Sequence, residues 1–203
     1  TLPIRSFLYF ILYSIALRND RILMLNWCYI EFIEKRYIIK TIMKIPVVNE
    51  QDEIIDYKDR SVLDPRDLCH VTGLWVTDSD GNILLAQRSF KKKHDPGIWG
   101  PAVSGTVEEG ETYESNIIKE AMEEIGLTGL NFVLGPKIKR ETVHRYFTQF
   151  FKVVVDHDYP FVKSEEEVED IRWFTKDEIL KLLNEKPEMF AKNPQQYMDL
   201  FLK

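Results

Sequence analysis

The sequence predicts one α/β domain preceded by an apolar extension, and three observations carry that expectation. At 203 residues and 24.0 kDa the chain is long enough for a single domain with a sizeable core. Turn-bounded runs rich in β-formers alternate with stretches that start, repeat and stop like amphipathic helices. All 9 glycines lie at or after Gly73, which confines tight-turn chemistry to the last two thirds.

Residues 1–42 form the extension: 26 of these 42 positions are apolar, with Lys+Arg 6 against Asp+Glu 3. Its apolar runs, Phe7 to Leu17 and Ile22 to Ile33, each fall short of the ~20 residues that span a bilayer. No small-residue cleavage site follows at Ala16-Leu17-Arg18. Two readings stand side by side: an over-extended reading frame with Met43 as the start, or an interfacial segment lying on a membrane. Membrane contact is expected only under the second. Residues 43–203 are the domain, and they are distinctly acidic. A formal net charge of -6 and pI ≈ 5.4 argue against a nucleic-acid polymer as partner. Cys28 and Cys69 lie far apart without ligand spacing, so neither a disulfide framework nor a zinc site is expected, and the default compartment is cytoplasmic.

Along the domain, Ile45 to Val48, a turn at Asn49 to Glu53 and Ile54 to Tyr57 predict a β-hairpin. Cys69 to Thr77 and Ile83 to Arg88 flank the turn signal Asp78-Ser79-Asp80-Gly81-Asn82 and predict a central antiparallel pair. A basic loop from Ser89 to His94 leads into Pro96-Gly97, which demands a turn. The strongest helix spans Tyr113 to Ile125, with Ile117, Ile118, Ala121, Met122 and Ile125 in one apolar arc, Thr112 as N-cap and Gly126 as stop. Strands are expected at Asn131 to Leu134, Ile138 to Val143, Tyr146 to Val155 and Ile171 to Phe174. Helices follow at Asp177 to Asn184, opened by Thr175, and in the tail Gln195 to Leu202.

On the first helix Glu120, Glu123 and Glu124 stand at i, i+3, i+4 and share the face opposite the apolar arc. Their mutual repulsion is costly, so the cluster calls for a reason. Gly105, five residues, Glu111, seven residues and Lys119-Glu120-Ala121-Met122-Glu123-Glu124-Ile125-Gly126-Leu127 resemble the Nudix box, G-x5-E-x7-R-E-U-x-E-E-x-G-U with U aliphatic. One fixed position departs: Lys119 stands where the family has Arg. Splitting a diphosphate needs a nucleophilic water and relief of phosphate charge, which a hard divalent cation held by carboxylates supplies.

The resemblance implies an α/β/α sandwich with a mixed β-sheet. It implies catalytic Glu120, Glu123 and Glu124 that hold Mg2+ or Mn2+ with the backbone carbonyl of Gly105, Glu120 serving alternatively as base toward the water. A later acidic residue completes the site, with Glu165, Glu166 and Glu167 as candidates and Glu167 favoured. Glu111 and the box arginine are structural in the family, and Lys119 keeps the charge without the planar fork.

Asn49 to Tyr57, His70, Gln87-Arg88, Lys91-Lys92-Lys93 and Pro96-Gly97-Ile98-Trp99 are similar to the isopentenyl-diphosphate isomerase branch, in which an N-terminal β-hairpin extends the fold. That likeness implies diphosphate binding by Arg88 and Lys92. The isomerase cysteine and histidine beside the box glycine are replaced by Ser104 and Thr106, so the expected chemistry is hydrolysis of an organic diphosphate. An isomerase and a non-catalytic nucleotide-binding sensor are the alternatives. The partner expected is a small-molecule diphosphate of unspecified leaving group, and a homodimer is left open.

Overall fold

Alternation of apolar side chains along three central strands gives the sheet two sticky faces, and each face carries a helix. The computed structural model describes residues 44–191 except Thr142, together with 194, 198 and 199. In chain order these form β1 (Lys44–Val48), β2 (Ile54–Asp59), β3 (Leu68–Thr77), β4 (Ile83–Arg88), β5 (Trp99–Pro101), β6 (Val103–Thr106), α1 (Tyr113–Ile125), β7 (Val133–Glu141), β8 (Arg145–Val154), β9 (Val168–Phe174) and α2 (Lys176–Glu185). Leu74 and Val76 of β3, Leu84 of β4 and Phe151 and Val153 of β8 pack with Ile117, Ala121 and Ile125 of α1. The residues between them, Trp75, Ile83, Leu85 and Phe150, pack on the other face with Ile179 of α2, Phe174 and Trp99.

β3 is the spine of a mixed sheet. β8 runs parallel to it along its whole length, from Leu68 opposite Arg145 to Thr77 opposite Val154. Its other edge is shared in turn by β1 at Leu68 and Cys69, by β6 from Val71 to Leu74 and by β4 at Val76 and Thr77. β7 pairs antiparallel with β8, β9 and β5 flank β4, and β2 completes the N-terminal hairpin on β1.

Three expectations are corrected. The β3–β4 hairpin closes over only two residue pairs at its turn end, because segment 99–106 takes the remaining edges as β5 and β6, strands hidden in the sequence by their Gly and Pro content. The strands expected at Asn131 to Leu134 and Ile138 to Val143 are one strand, β7, whose register shifts between Leu134 and Lys137. Gly135-Pro136 makes an irregularity there rather than a break, which an edge strand tolerates because proline's missing N–H costs no ladder bond. On α1, Ile118 and Met122 are 58% and 53% exposed, so the buried stripe is Ile117, Ala121 and Ile125 alone.

Both helices are capped as their sequences dictate. The Thr112 hydroxyl accepts the Ser115 N–H while Ser115 Oγ accepts the Thr112 N–H, and Thr175 and Glu178 repeat the arrangement on α2. Gly126, at φ 69°, ends α1 in the left-handed region. The extension 1–42 lies outside the described residues, as does the expected tail helix apart from Met198 and Asp199. Among the described residues no helix is long and apolar enough to cross a membrane.

Candidate active site

The rotation of α1 that exposes Ile118 and Met122 turns Asn116, Glu120 and Glu124, a stripe at i, i+4, i+8, against β6. The glutamates therefore flank the buried stripe instead of opposing it. Gly105 lies against this stripe so closely that a Cβ there would stand 2.3 Å from Glu120 Cγ and 2.8 Å from Asn116 Oδ1. The backbone N–H of Ser104 donates to Glu124 Oε2 at 3.2 Å. Burial, then the charges of Glu120 and Glu167, push the Glu124 carboxyl up to about 8 against the pull of the Ser104 N–H and Arg88. Burial also raises Glu120, Glu123 adding to the effect and Lys119 opposing it.

Lys119 sits 2.6 Å from Glu111 Oε1, 3.4 Å from Glu120 Oε1 and 3.4 Å from Glu108 Oε2. Burial alone would depress its ammonium, but Glu111, Glu120 and Glu108 together hold it above its usual range. Glu111 is kept below its ordinary value in spite of burial, by Lys119, the Glu108 N–H and Asn116. Glu111 and Lys119 thus meet beneath the loop that leads from β6 to α1, at Glu108.

The loop before β9 docks on the C-terminal end of α1: Val162 N–H donates to Ile125 O at 3.0 Å and Ser164 N–H to Glu124 O at 2.8 Å. Of its three glutamates, Glu165 pairs with Lys163 and Glu166 with Lys91. Glu167 pairs with Lys92 and is the one whose charge is felt at Glu124. Arg88 ends β4 beside this loop; its Nε donates to His94 O at 2.8 Å. Glu120, Glu124, Gly105, Glu167, Arg88 and Lys92 are therefore gathered about one end of α1 and β6, with Glu123 half-buried next to Glu124. Among the described residues no three His, Cys, Asp or Glu side chains stand close enough to enclose an ion as arranged; Lys119 pairs with Glu120 and Lys92 with Glu167.

Sequence reasoning passed over Asn116, Thr72 and the Ser104 N–H. Asn116 carried a usable signal, because it lies one turn before Glu120 on the glutamate stripe. The other two depend on β6 meeting β3, which only the fold reveals. Of the tryptophans, Trp75 and Trp99 are core, while Trp173 stacks on His157 at 5.2 Å and donates to its carbonyl.

The raised Glu124 carboxyl makes stability depend on pH. A carboxyl whose folded value lies above its unfolded one binds more protons in the folded state, so stability falls as pH rises from about 4.5 to about 8. Thermal melts of the metal-free protein across that window are expected to show this decline, and saturating Mg2+ to flatten it.

The fold is the one shared by Nudix pyrophosphohydrolases, whose members need a divalent cation and act on small-molecule diphosphate derivatives, and the sequence matches place this chain among them. The NUDIX domain family matches residues 69–196, and the chain belongs to that family. An uncharacterized Nudix hydrolase of Yersinia pestis is 31% identical over 137 residues, 66% of this chain and 74% of the relative. An isopentenyl-diphosphate Delta-isomerase of Salmonella heidelberg is 40% identical over 53 residues, 26% of this chain and 29% of that enzyme. The solved structure of DR0079 from Deinococcus radiodurans superposes with a TM-score of 0.66 at 22% identity, covering 78% of this chain and 96% of that one, a likeness of fold.

Proposed function

We propose that this chain hydrolyses the diphosphate linkage of a nucleoside diphosphate derivative or related organic diphosphate, with Mg2+ or Mn2+ held by Glu120, Glu123, Glu124, Glu167 and the Gly105 carbonyl. The observation that carries the reading is the half-buried Glu124, turned into β6 with the charges of Glu120 and Glu167 upon it. Mutually repelling carboxylates in a half-buried site are what a hard cation relieves, and the all-oxygen donor set suits Mg2+. Bound there, the cation would lower the pKa of a water and offset phosphate charge.

This chain's own residues do the remaining work. Glu120 and Glu124 present carboxyl oxygens where the cation is wanted, and the Ser104 N–H fixes one Glu124 oxygen. Arg88 and Lys92 supply positive charge to the phosphates. The β-hairpin and the short match to the isomerase support an isomerase-like architecture. Ser104 and Thr106 lack the thiol and imidazole needed to move a proton at an allylic carbon, so hydrolysis is the chemistry favoured.

The test is product analysis over a panel of nucleotide-linked and prenyl diphosphates with Mg2+. Two monophosphates from one substrate are expected; an intact but rearranged prenyl diphosphate would replace this reading with the isomerase, and binding without turnover would replace it with the sensor. Lys92→Ala and Arg88→Ala are each expected to raise KM about tenfold with a smaller effect on kcat, the loss of one charge-assisted hydrogen bond. Steady-state kinetics on the substrate found checks this.

A further inference from the structure

Asn116 is fully buried and is the most connected polar side chain beneath the site. Its Oδ1 accepts from Thr72 Oγ1 at 2.5 Å. Its Nδ2 donates to Glu111 Oε2 at 2.8 Å, to the Thr106 carbonyl at 3.1 Å and, at the 3.5 Å limit, to Glu120 Oε1. Carboxylate and carbonyl oxygens only accept, so Glu111 and the Thr106 carbonyl take the two amide hydrogens and fix the amide in one orientation, with Glu120 sharing the longer contact and the Thr72 hydroxyl donating to the oxygen. The same two glutamates are held by Lys119, which takes the other oxygen of Glu111 and the same oxygen of Glu120. A lysine offers one nitrogen on a flexible stem and cannot serve two carboxylates with the fixed, planar fork of a guanidinium. Asn116 supplies the missing second arm.

We infer that Asn116 is a positioning residue that acts jointly with Lys119. Between them they grip both oxygens of Glu111 and orient Glu120, so that an amide and an ammonium together do the work of one guanidinium. Asn116 also ties this brace to the Thr106 carbonyl and, through Thr72, to β3. The inference deepens the hydrolase reading and rests on Glu120 as a metal-holding carboxylate.

It predicts a specific coupling. Asn116→Ala in the lysine background leaves Glu111 Oε2 on the Glu108 N–H alone and Glu120 on Lys119 alone, and Mn2+ affinity is expected to fall about 10- to 100-fold, the usual effect of removing a group that orients a metal ligand. In the Lys119→Arg background the guanidinium restores the second arm, and the same substitution is expected to cost less than threefold.

Mn2+ binding by electron paramagnetic resonance on wild type, both single variants and the double variant reads this directly, with metal-free melting as the companion measurement. Asn116→Ser, smaller but still polar, extends the series if the alanine variant does not fold, and its loss is likewise expected to shrink when Lys119 becomes Arg. Equal losses in both backgrounds would reduce Asn116 to a packing residue and overturn the inference. So would wild-type affinity in a folded Asn116→Ala. A wild-type protein that binds no Mn2+ would overturn the hydrolase reading and this inference together, whereas binding with unchanged variants overturns the inference alone.

Discussion

Glu124→Gln is expected to reduce kcat by roughly a thousandfold or more while raising the melting temperature of the metal-free protein. The first effect follows from removing a charged donor at the cation, whose transition-state stabilisation is worth several kcal/mol at 1.36 kcal/mol per decade of rate. The second follows from the same physics read in the resting state. Glu124 ionises in a half-buried place beside Glu120 and Glu167, and that penalty is why its carboxyl is pushed up to about 8. A neutral amide escapes the penalty and keeps an oxygen for the Ser104 N–H. Opposite movements of activity and stability separate a functional carboxylate from a merely structural one, whose removal lowers both. Parallel measurement of kcat and of melting at pH 8 without metal checks the pair of signs.

Gly105→Ala is expected to be the most damaging substitution outside the carboxylates. The added methyl would meet Glu120 Cγ and Asn116 Oδ1 well inside contact distance, and neither neighbour yields cheaply. Glu120 would have to leave its place against β6, and Asn116 is tied by Thr72, Thr106 and Glu111. Overpacking of this kind costs about 1–3 kcal/mol of stability, and the displaced Glu120 should take most of the activity with it. Gly110→Ala is the contrasting control: it has open space but φ 84°, so it is expected to lower stability and leave Mn2+ affinity near wild type. Denaturant melts and Mn2+ titrations on the two variants check the contrast.

Much of this was legible because local rules and tertiary demands agree. The span of α1, its Thr112 cap and its Gly126 stop match the structure residue for residue, since cap, periodicity and glycine all point to the same ends. β4 was equally plain between its turn and the basic loop. β5 and β6 were missed because a Trp-Gly-Pro and a Val-Ser-Gly-Thr segment lack strand propensity and become strands only by taking edges that β3 and β4 leave open. The apolar arc of α1 was read too wide: Ile118 and Met122 fit the period but point to solvent, because the helix must turn its glutamate stripe toward Gly105. The brace was half legible. Lys119 and Glu111 stand in the box pattern, while Asn116 gained meaning only once Thr72 and Thr106 were seen on either side of it.

If carboxylates of α1 hold the divalent cation, their neutralisation abolishes its binding. Mn2+ added to wild type and to a Glu120→Gln, Glu124→Gln double variant should give saturable binding in the first and none above background in the second, with both proteins folded. Equal binding by the two would place the cation elsewhere and contradict the site described.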